Sequence, residues 1–396
     1  MIRQAALYLA TADDRHTALL PVAGQPVAFR ALVHAARAGA GAVGVPAVFR
    51  GTAVETAIQA SARIRTVAVW LDRERLADTA TALVPANALT APATLATLLA
   101  TPPPATLAAS ADGGAAIVVA DARLTAALAP ALAAGTPLGD EIGRALKSRE
   151  AAVVAGNAWH VHVRDAPSAR RAEDHLFAGL GSAIDTRLDR ALHRRLSRPV
   201  TRAAIALGIT PNQLSVASLL VGLAAAWCFW LGTPVATMAG LLVYVVAVVL
   251  DHADGEVARL TLAESRLGEW LDILVDTLVH ATMVIAMGLT AERTAGGGAL
   301  LGVVGALGVV ASAAVAKVWP TTGAVDNVGA TLENLGSRDG FYAMLLLFIA
   351  ARAAAPGALP PLMIVVALGS QAYWLARAGY TLRARTGRRK TARSPK

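Results

Sequence analysis

The chain has 396 residues, 55% of them hydrophobic and 16% charged, with a formal net charge of +9 and a mean hydropathy of +0.52. Hydropathy at that level excludes an ordinary soluble protein, and a single cysteine, Cys228, excludes an internal disulfide. The positive charge concentrates in RLDRALHRRLSRPVTR (187–202) and RARTGRRKTARSPK (383–396), both beside apolar runs, which points to anchoring at an anionic membrane surface and away from nucleic acid.

The opening residues MIRQAALYLATADDRH lack the charged start and long apolar stretch of a signal peptide, so this end is expected in the cytoplasm. Residues 1 to about 165 then alternate short apolar runs with Ala-rich helical stretches. QAALYLA (4–10), RTVAVWL (around 66–72), AAIVVA (115–120) and AWHVHV (158–163) read as strands, and PVAFRALVHAARAGA (26–40) as a helix. Such alternation predicts an α/β domain with a mainly parallel sheet. TPPPATLAASADGG (101–114) reads as a loop. Residues 167–209 form a linker: PSARRAEDHLFAGLGSAID predicts an amphipathic helix started by its serine, and the basic stretch after it predicts a helix lying on the membrane face.

From Thr210 onward the chain repeats apolar runs near twenty residues, the length that crosses a bilayer core of about 30 Å. Six spans are predicted, at about 211–231, 235–257, 268–290, 298–319, 340–354 and 359–379. An even number returns both ends to one side, and the basic flanks mark that side as cytoplasmic. The predicted organisation is 1–166 (α/β), 167–209 (linker and juxtamembrane helix), 210–382 (all-α, six spans) and 383–396 (basic tail).

Within the second and third spans stand Asp251, Asp254, Asp272 and Asp276. An aspartate at mid-membrane costs roughly 2.5–3.5 kcal/mol, so four cost on the order of 10 kcal/mol unless compensated. Asp251 and Asp254 are spaced i, i+3, and Asp272 and Asp276 i, i+4, so each pair lies on one helix face. A short turn makes the two spans antiparallel, and the pairs can then face one another. Hard carboxylate oxygens in such a group suit one or two Mg²⁺, Mn²⁺ or Ca²⁺ ions with phosphate as a further ligand. Gly255, Ala258 and Gly268 leave room for close approach of a nucleotide, and Arg259 has the fork geometry for a diphosphate. Other readings of the same aspartates are an ion pathway in a transporter, or a scaffold.

The pattern D-x2-D-G-x2-A-R-x8-G-x3-D-x3-D, complete from Asp251 to Asp276, resembles the signature of the CDP-alcohol phosphotransferases. That resemblance implies a six-helix membrane fold, dependence on Mg²⁺ or Mn²⁺ (two ions), a CDP-linked donor and release of CMP. It makes Asp251, Asp254, Asp272 and Asp276 metal ligands and Asp276 also the base for the acceptor hydroxyl. Gly255, Ala258, Arg259, Gly268 and Asn212 of the TPN motif would line the nucleotide site. It further implies a homodimer, a donor that is CDP-diacylglycerol or a soluble CDP-alcohol, and an acceptor that is a phosphorylated polyol or another alcohol. Lys317, Arg338 (in SRD, 337–339) and Arg377 then become candidates for holding an acceptor phosphate, or else serve as membrane anchors.

ALLPVAGQPVAFRALVHAARAGAGAVGV (18–45) is similar to the region after the nucleotide loop of sugar-type nucleotidyltransferases. The junction from VRDAPSARR to ITPN resembles fusions of an inositol-phosphate cytidylyltransferase to a di-inositol-phosphate-phosphate synthase. The loop YLATADDRHTALLPV departs from that pattern: it has no glycine, and it places Asp13 and Asp14 where phosphate would sit. The N-terminal domain is therefore expected to have lost catalysis. Asp121 and Asp165 would be its metal ligands otherwise, and His160 and His162 are expected to pack.

Overall fold

The computed structural model describes residues 2–101, 105–107, 116–147, 152–154, 159–180, 193–318 and 338–391. By contacts the chain divides into two compact units, residues 1–180 with 260–262, and residues 181–259 with 263–396.

The first unit is built on a seven-stranded sheet. Its strands are β1 (Gln4–Tyr8), β2 (Ala42–Val45), β3 (Ala68–Trp70), β4 (Thr81–Pro85), β5 (Ala105–Leu107), β6 (Val118–Ala120) and β7 (Ala152–Val154), in the order β7-β5-β6-β4-β1-β2-β3. All neighbours pair parallel except β6, which runs antiparallel to both β4 and β5. β1 is buried at every residue, as a central strand covered on both faces must be. The stretch 101–114, expected to be all loop, contains β5. Its prolines precede the strand, so they remove no ladder donor, and β6 and β7 supply the partners. The rest of that loop beyond Thr101 lies outside the described residues.

Helix Val27–Arg37 packs Phe29, Leu32 and Val33 into the core. On its buried face His34 Nδ1 bonds the Thr90 carbonyl at 2.8 Å, and burial pulls this imidazole down to about 4. His160 and His162 occupy a short strand paired antiparallel with Ala88–Thr90, and His160 Nδ1 lies 2.5 Å from Thr90 Oγ1. Helix Ala166–Ala178, which the sequence reading assigns to the linker, inserts Ala169 and Ala172 into an apolar cluster with Val22, Val27, Leu89 and Val161. Its cap is Asp165, not a serine. The Asp165 carboxylate accepts from Ser168 N at 2.8 Å while Ser168 Oγ accepts from Asp165 N at 3.0 Å, a reciprocal capping box.

The second unit is helical: α1 (Arg194–Ala206), α2 (Pro211–Leu231), α3 (Pro234–Thr261), α4 (Arg266–Ala295), α5 (Ala299–Val318), α6 (Arg338–Ala354) and α7 (Leu359–Thr391). Among the described residues five segments, in α2, α3, α4, α5 and 356–382, are long and apolar enough to cross a membrane. With 17 residues α6 is shorter, so the six predicted spans are approximately matched. The chain is a multi-pass membrane protein. α7 continues to Thr391, so the backbone of the expected basic tail is helical that far. The 320–337 connection and most of the basic stretch before Arg194 lie outside the described residues.

TPNQ at 210–213 starts α2 for a local reason. The Thr210 hydroxyl accepts from Gln213 N, the Gln213 amide oxygen accepts from Thr210 N at 2.8 Å, and Pro211 sits at the first turn, where no N–H is needed. Phe229, Tyr244, Met283, Met287, Leu345 and Phe348 form the buried centre of this unit.

Candidate active site

α3 carries Asp251 and Asp254, and α4 carries Asp272 and Asp276. Ser265 caps α4, its hydroxyl accepting from Gly268 N at 3.0 Å, which sets the start of the helix nearly two turns before Asp272. One oxygen from each of Asp251, Asp254 and Asp272 lies within 4.8 Å of the others. Asp251 and Asp254 are buried and Asp272 is exposed, so the group opens to one side.

Each carboxylate has different company. Asp254 Oδ2 accepts from Ser215 Oγ of α2 at 2.5 Å. Asp251 Oδ2 accepts from Arg338, while Asp251 Oδ1 is buried without a hydrogen-bond partner. An orphaned buried carboxylate oxygen facing two more carboxylates is costly, and a bound cation would satisfy it. The donor set of hard oxygens fits Mg²⁺ or Mn²⁺. Asp276 falls outside that group of three but shares Arg338 with Asp251. Its Oδ2 lies 3.4 Å from Arg338 Nη2, leaving one guanidinium in direct contact with two of the four aspartates.

The surrounding side chains orient these groups. Arg338 Nη1 also donates to His252 Nε2 at 3.0 Å. His280 Nδ1 is 2.6 Å from the Asp276 carbonyl, which only accepts, so this nitrogen carries the proton. His280 Nε2 is then left to accept from Tyr244 O–H at 2.8 Å. The Phe341 ring packs edge-on against His280, the ring centroids 4.3 Å apart. Ser215, His252, Tyr244 and His280 are absent from the sequence-based site. A serine three residues past Asn212, and a histidine four past Asp276 on the same helix face, were the signals available for two of them.

Among the residues expected to line a nucleotide site, Arg259 is exposed and lies where a side chain on Gly255 would intrude: a Cβ there would stand 3.3 Å from its Nη1. Asn212 Oδ1 would stand 3.6 Å from a Cβ on Gly268, so the start of α2 faces the start of α4. Ala258 is half-buried beside them. The three cations proposed for an acceptor phosphate part company. Arg338 holds aspartates, Lys317 pairs with Glu269 and sits 4.8 Å over the Trp270 ring, and Arg377 donates to Tyr373 OH at 3.0 Å.

Comparison with known proteins points to the same unit. The CDP-alcohol phosphatidyltransferase family model matches residues 208–381. The chain is 32% identical over 143 residues to a bifunctional IPC transferase and DIPP synthase of Archaeoglobus fulgidus, covering 36% of this chain and 28% of that protein. It is 36% identical over 90 residues to an archaetidylinositol phosphate synthase of Pyrococcus horikoshii, covering 23% and 46%. It is 39% identical over 82 residues to a CDP-diacylglycerol–serine O-phosphatidyltransferase of Mycobacterium leprae, covering 21% and 26%. The matched stretches thus span between about a quarter and a half of these curated relatives. The helical unit carries a CDP-alcohol phosphatidyltransferase domain.

Proposed function

We propose, from a CDP-alcohol phosphatidyltransferase domain whose aspartates converge, that this chain transfers a phosphoalcohol or phosphatidyl group from a CDP-linked donor to an acceptor hydroxyl and releases CMP. The observation that carries the reading is the group Asp251, Asp254 and Asp272 within 4.8 Å, with one buried Asp251 oxygen unpartnered. These three, with Asp276 beside them, would hold Mg²⁺ or Mn²⁺, which supplies Lewis-acid neutralisation of the donor diphosphate. Arg259 binds the same diphosphate, with Gly255, Ala258, Gly268 and Asn212 admitting the cytidine half. Asp276 takes the proton from the acceptor hydroxyl. The hydroxyl oxygen attacks the phosphorus distal to cytidine, the bond from that phosphorus to the bridging oxygen breaks, and CMP leaves with the electron pair. His280 keeps the α4 backbone at Asp276 in place through its hydrogen bond to the Asp276 carbonyl.

Arg338 is the residue best placed to bind a phosphate on the acceptor, since it reaches Asp276, the proposed base. Lys317 and Arg377, engaged with Glu269 and Tyr373, are better read as anchors, Lys317 at the end of α5 and Arg377 within α7. Both termini on the cytoplasmic side of an inner membrane, and a homodimer, complete the reading.

The first unit is proposed to lack nucleotidyltransferase activity. Ala10 N and Thr11 N, amides that a nucleotide phosphate would need after β1, donate instead to Asp14 Oδ2 at 2.7 and 3.1 Å. Asp121 caps helix Ala122–Ala134 through Leu124 N at 2.7 Å, as Asp165 caps its own helix. A hydrogen-bonded cap is a complete structural role for each.

The test is CMP release by the purified chain in detergent with Mg²⁺, offered CDP-diacylglycerol and CDP-inositol in parallel, each with and without inositol phosphate. Release from one donor that depends on an acceptor supports the reading and selects the substrates. No release from any donor, with no binding of CDP, would overturn it.

A further inference from the structure

Among the described residues of the helical unit, Glu256 is a buried acidic side chain that the phosphotransfer reading leaves unused. Glu256 on α3 is 1% exposed and spends both oxygens on α1. Its Oε1 accepts from Arg194 Nη1 and from Ser197 Oγ, each at 2.9 Å, and its Oε2 accepts from Thr201 Oγ1 at 2.6 Å. The sequence predicts α1 as a basic helix lying on the membrane, yet four of its residues, Arg194, Ser197, Thr201 and Ala204, are buried as one stripe.

Adhesion alone does not call for a glutamate. Ala204 already packs with Leu214, Ala253 and Val257, and a well-packed apolar side chain often stabilises as much as a buried ion pair or more. What the carboxylate adds is register. Its three donors fall at i, i+3 and i+7 of α1, so sliding that helix by one residue, about 1.5 Å and 100° of rotation, breaks all three bonds at once. α2 begins five residues after α1 ends, and its Ser215 holds Asp254, two residues before Glu256. The α1–α2 pair therefore grips α3 at neighbouring points, through Glu256 and through a carboxylate of the converging group.

We propose that Glu256 is a positioning residue: by locking α1 in register it sets where Ser215 meets Asp254, and hence the spacing of the ion-binding carboxylates. This rests on the reading of Asp251, Asp254 and Asp272 as ligands of a divalent cation. Groups that orient metal ligands typically change metal affinity 10–100-fold when removed.

The experiment titrates Mn²⁺ into the full chain in detergent, followed by electron paramagnetic resonance, alongside the Mg²⁺ dependence of CMP release. Glu256→Ala is expected to weaken Mn²⁺ binding and raise the half-maximal Mg²⁺ by about tenfold or more. Glu256→Gln, which preserves the shape and the two hydroxyl partners, is expected to recover most of that loss. A Glu256→Ala protein with a lower melting temperature but Mn²⁺ affinity within twofold of the parent would overturn the proposal, because the residue would then only hold the fold. Should that variant not be recovered folded, Thr201→Val removes a single donor and is expected to shift Mn²⁺ affinity in the same direction; no shift overturns the proposal. A parent chain that binds Mn²⁺ but releases no CMP would end the phosphotransferase reading while Mn²⁺ affinity still decides the role of Glu256. A parent that binds no Mn²⁺ ends both.

Discussion

Aspartates sit in both units, and their company differs. In the first unit Asp14, Asp121 and Asp165 each accept from nearby backbone N–H groups of their own loop or helix start. The Ser168 hydroxyl and amide together hold Asp165 below the usual carboxylate range. In the helical unit Asp251, Asp254 and Asp272 turn toward one another from two helices, and Asp251 keeps an oxygen with no partner. The first arrangement is complete in itself, whereas the second leaves a buried oxygen that a bound cation would satisfy. The same residue type is thus structural where the chain satisfies it locally and chemical where the fold gathers it and leaves it short.

Substituting on the two sides should break this symmetry sharply. Asp254→Asn is expected to lower CMP release by about a thousandfold, on the order of 4 kcal/mol of transition-state stabilisation; steady-state rates at saturating Mg²⁺ check it. Activity within tenfold of the parent would place Asp254 with the capping aspartates. Arg338→Gln removes the guanidinium that touches both Asp251 and Asp276, so the acceptor KM should rise about tenfold or more while Mn²⁺ binds at least as tightly. Loss of Mn²⁺ binding in that variant would make Arg338 a support of the ion site and not of the acceptor.

Two smaller effects belong to the first unit. His34 is held near 4 by burial, below its ordinary 6.5, so the folded state takes up its proton later than the unfolded state. Stability is then full above pH 6.5, falls as pH drops from 6.5 toward 4, and by pH 5 is reduced by about 2 kcal/mol. Hydrogen exchange of residues 27–37, corrected for intrinsic rates, should lose protection over that range, and His34→Gln should flatten the dependence. Asp121→Ala should cost about 1 kcal/mol of helix stability and leave CMP release unchanged. A large loss of activity there would return Asp121 to chemistry.

Much of this was legible because the signals are local. Apolar runs of bilayer length mark their helices whatever surrounds them, and the aspartate pattern is carried by two adjacent helices joined by a short turn. What escaped depends on distant segments. Arg338 reaches Asp251 across 87 positions of sequence, which no periodicity encodes. Glu256 reads as one more charge in D-G-E until α1 folds over it, and the basic character of α1 hides its buried Arg-Ser-Thr stripe. Lys317 and Arg338 stand at helix ends and Arg377 lies inside α7; sequence places all three at one depth, but helix rotation decides their partners and sends each to a different one. β5 escaped because three residues between prolines and a polar run become a strand only when β6 and β7 flank them.

The central claim, that the converging aspartates bind a divalent ion for phosphoryl transfer, is tested most directly by one titration. CMP release from the chain's preferred CDP-linked donor would be followed against Mg²⁺ concentration for the parent and for Asp251→Asn. The parent should show a saturable Mg²⁺ dependence, and the variant a near-complete loss of release at every concentration. Release by Asp251→Asn with the parent's Mg²⁺ dependence would contradict the claim.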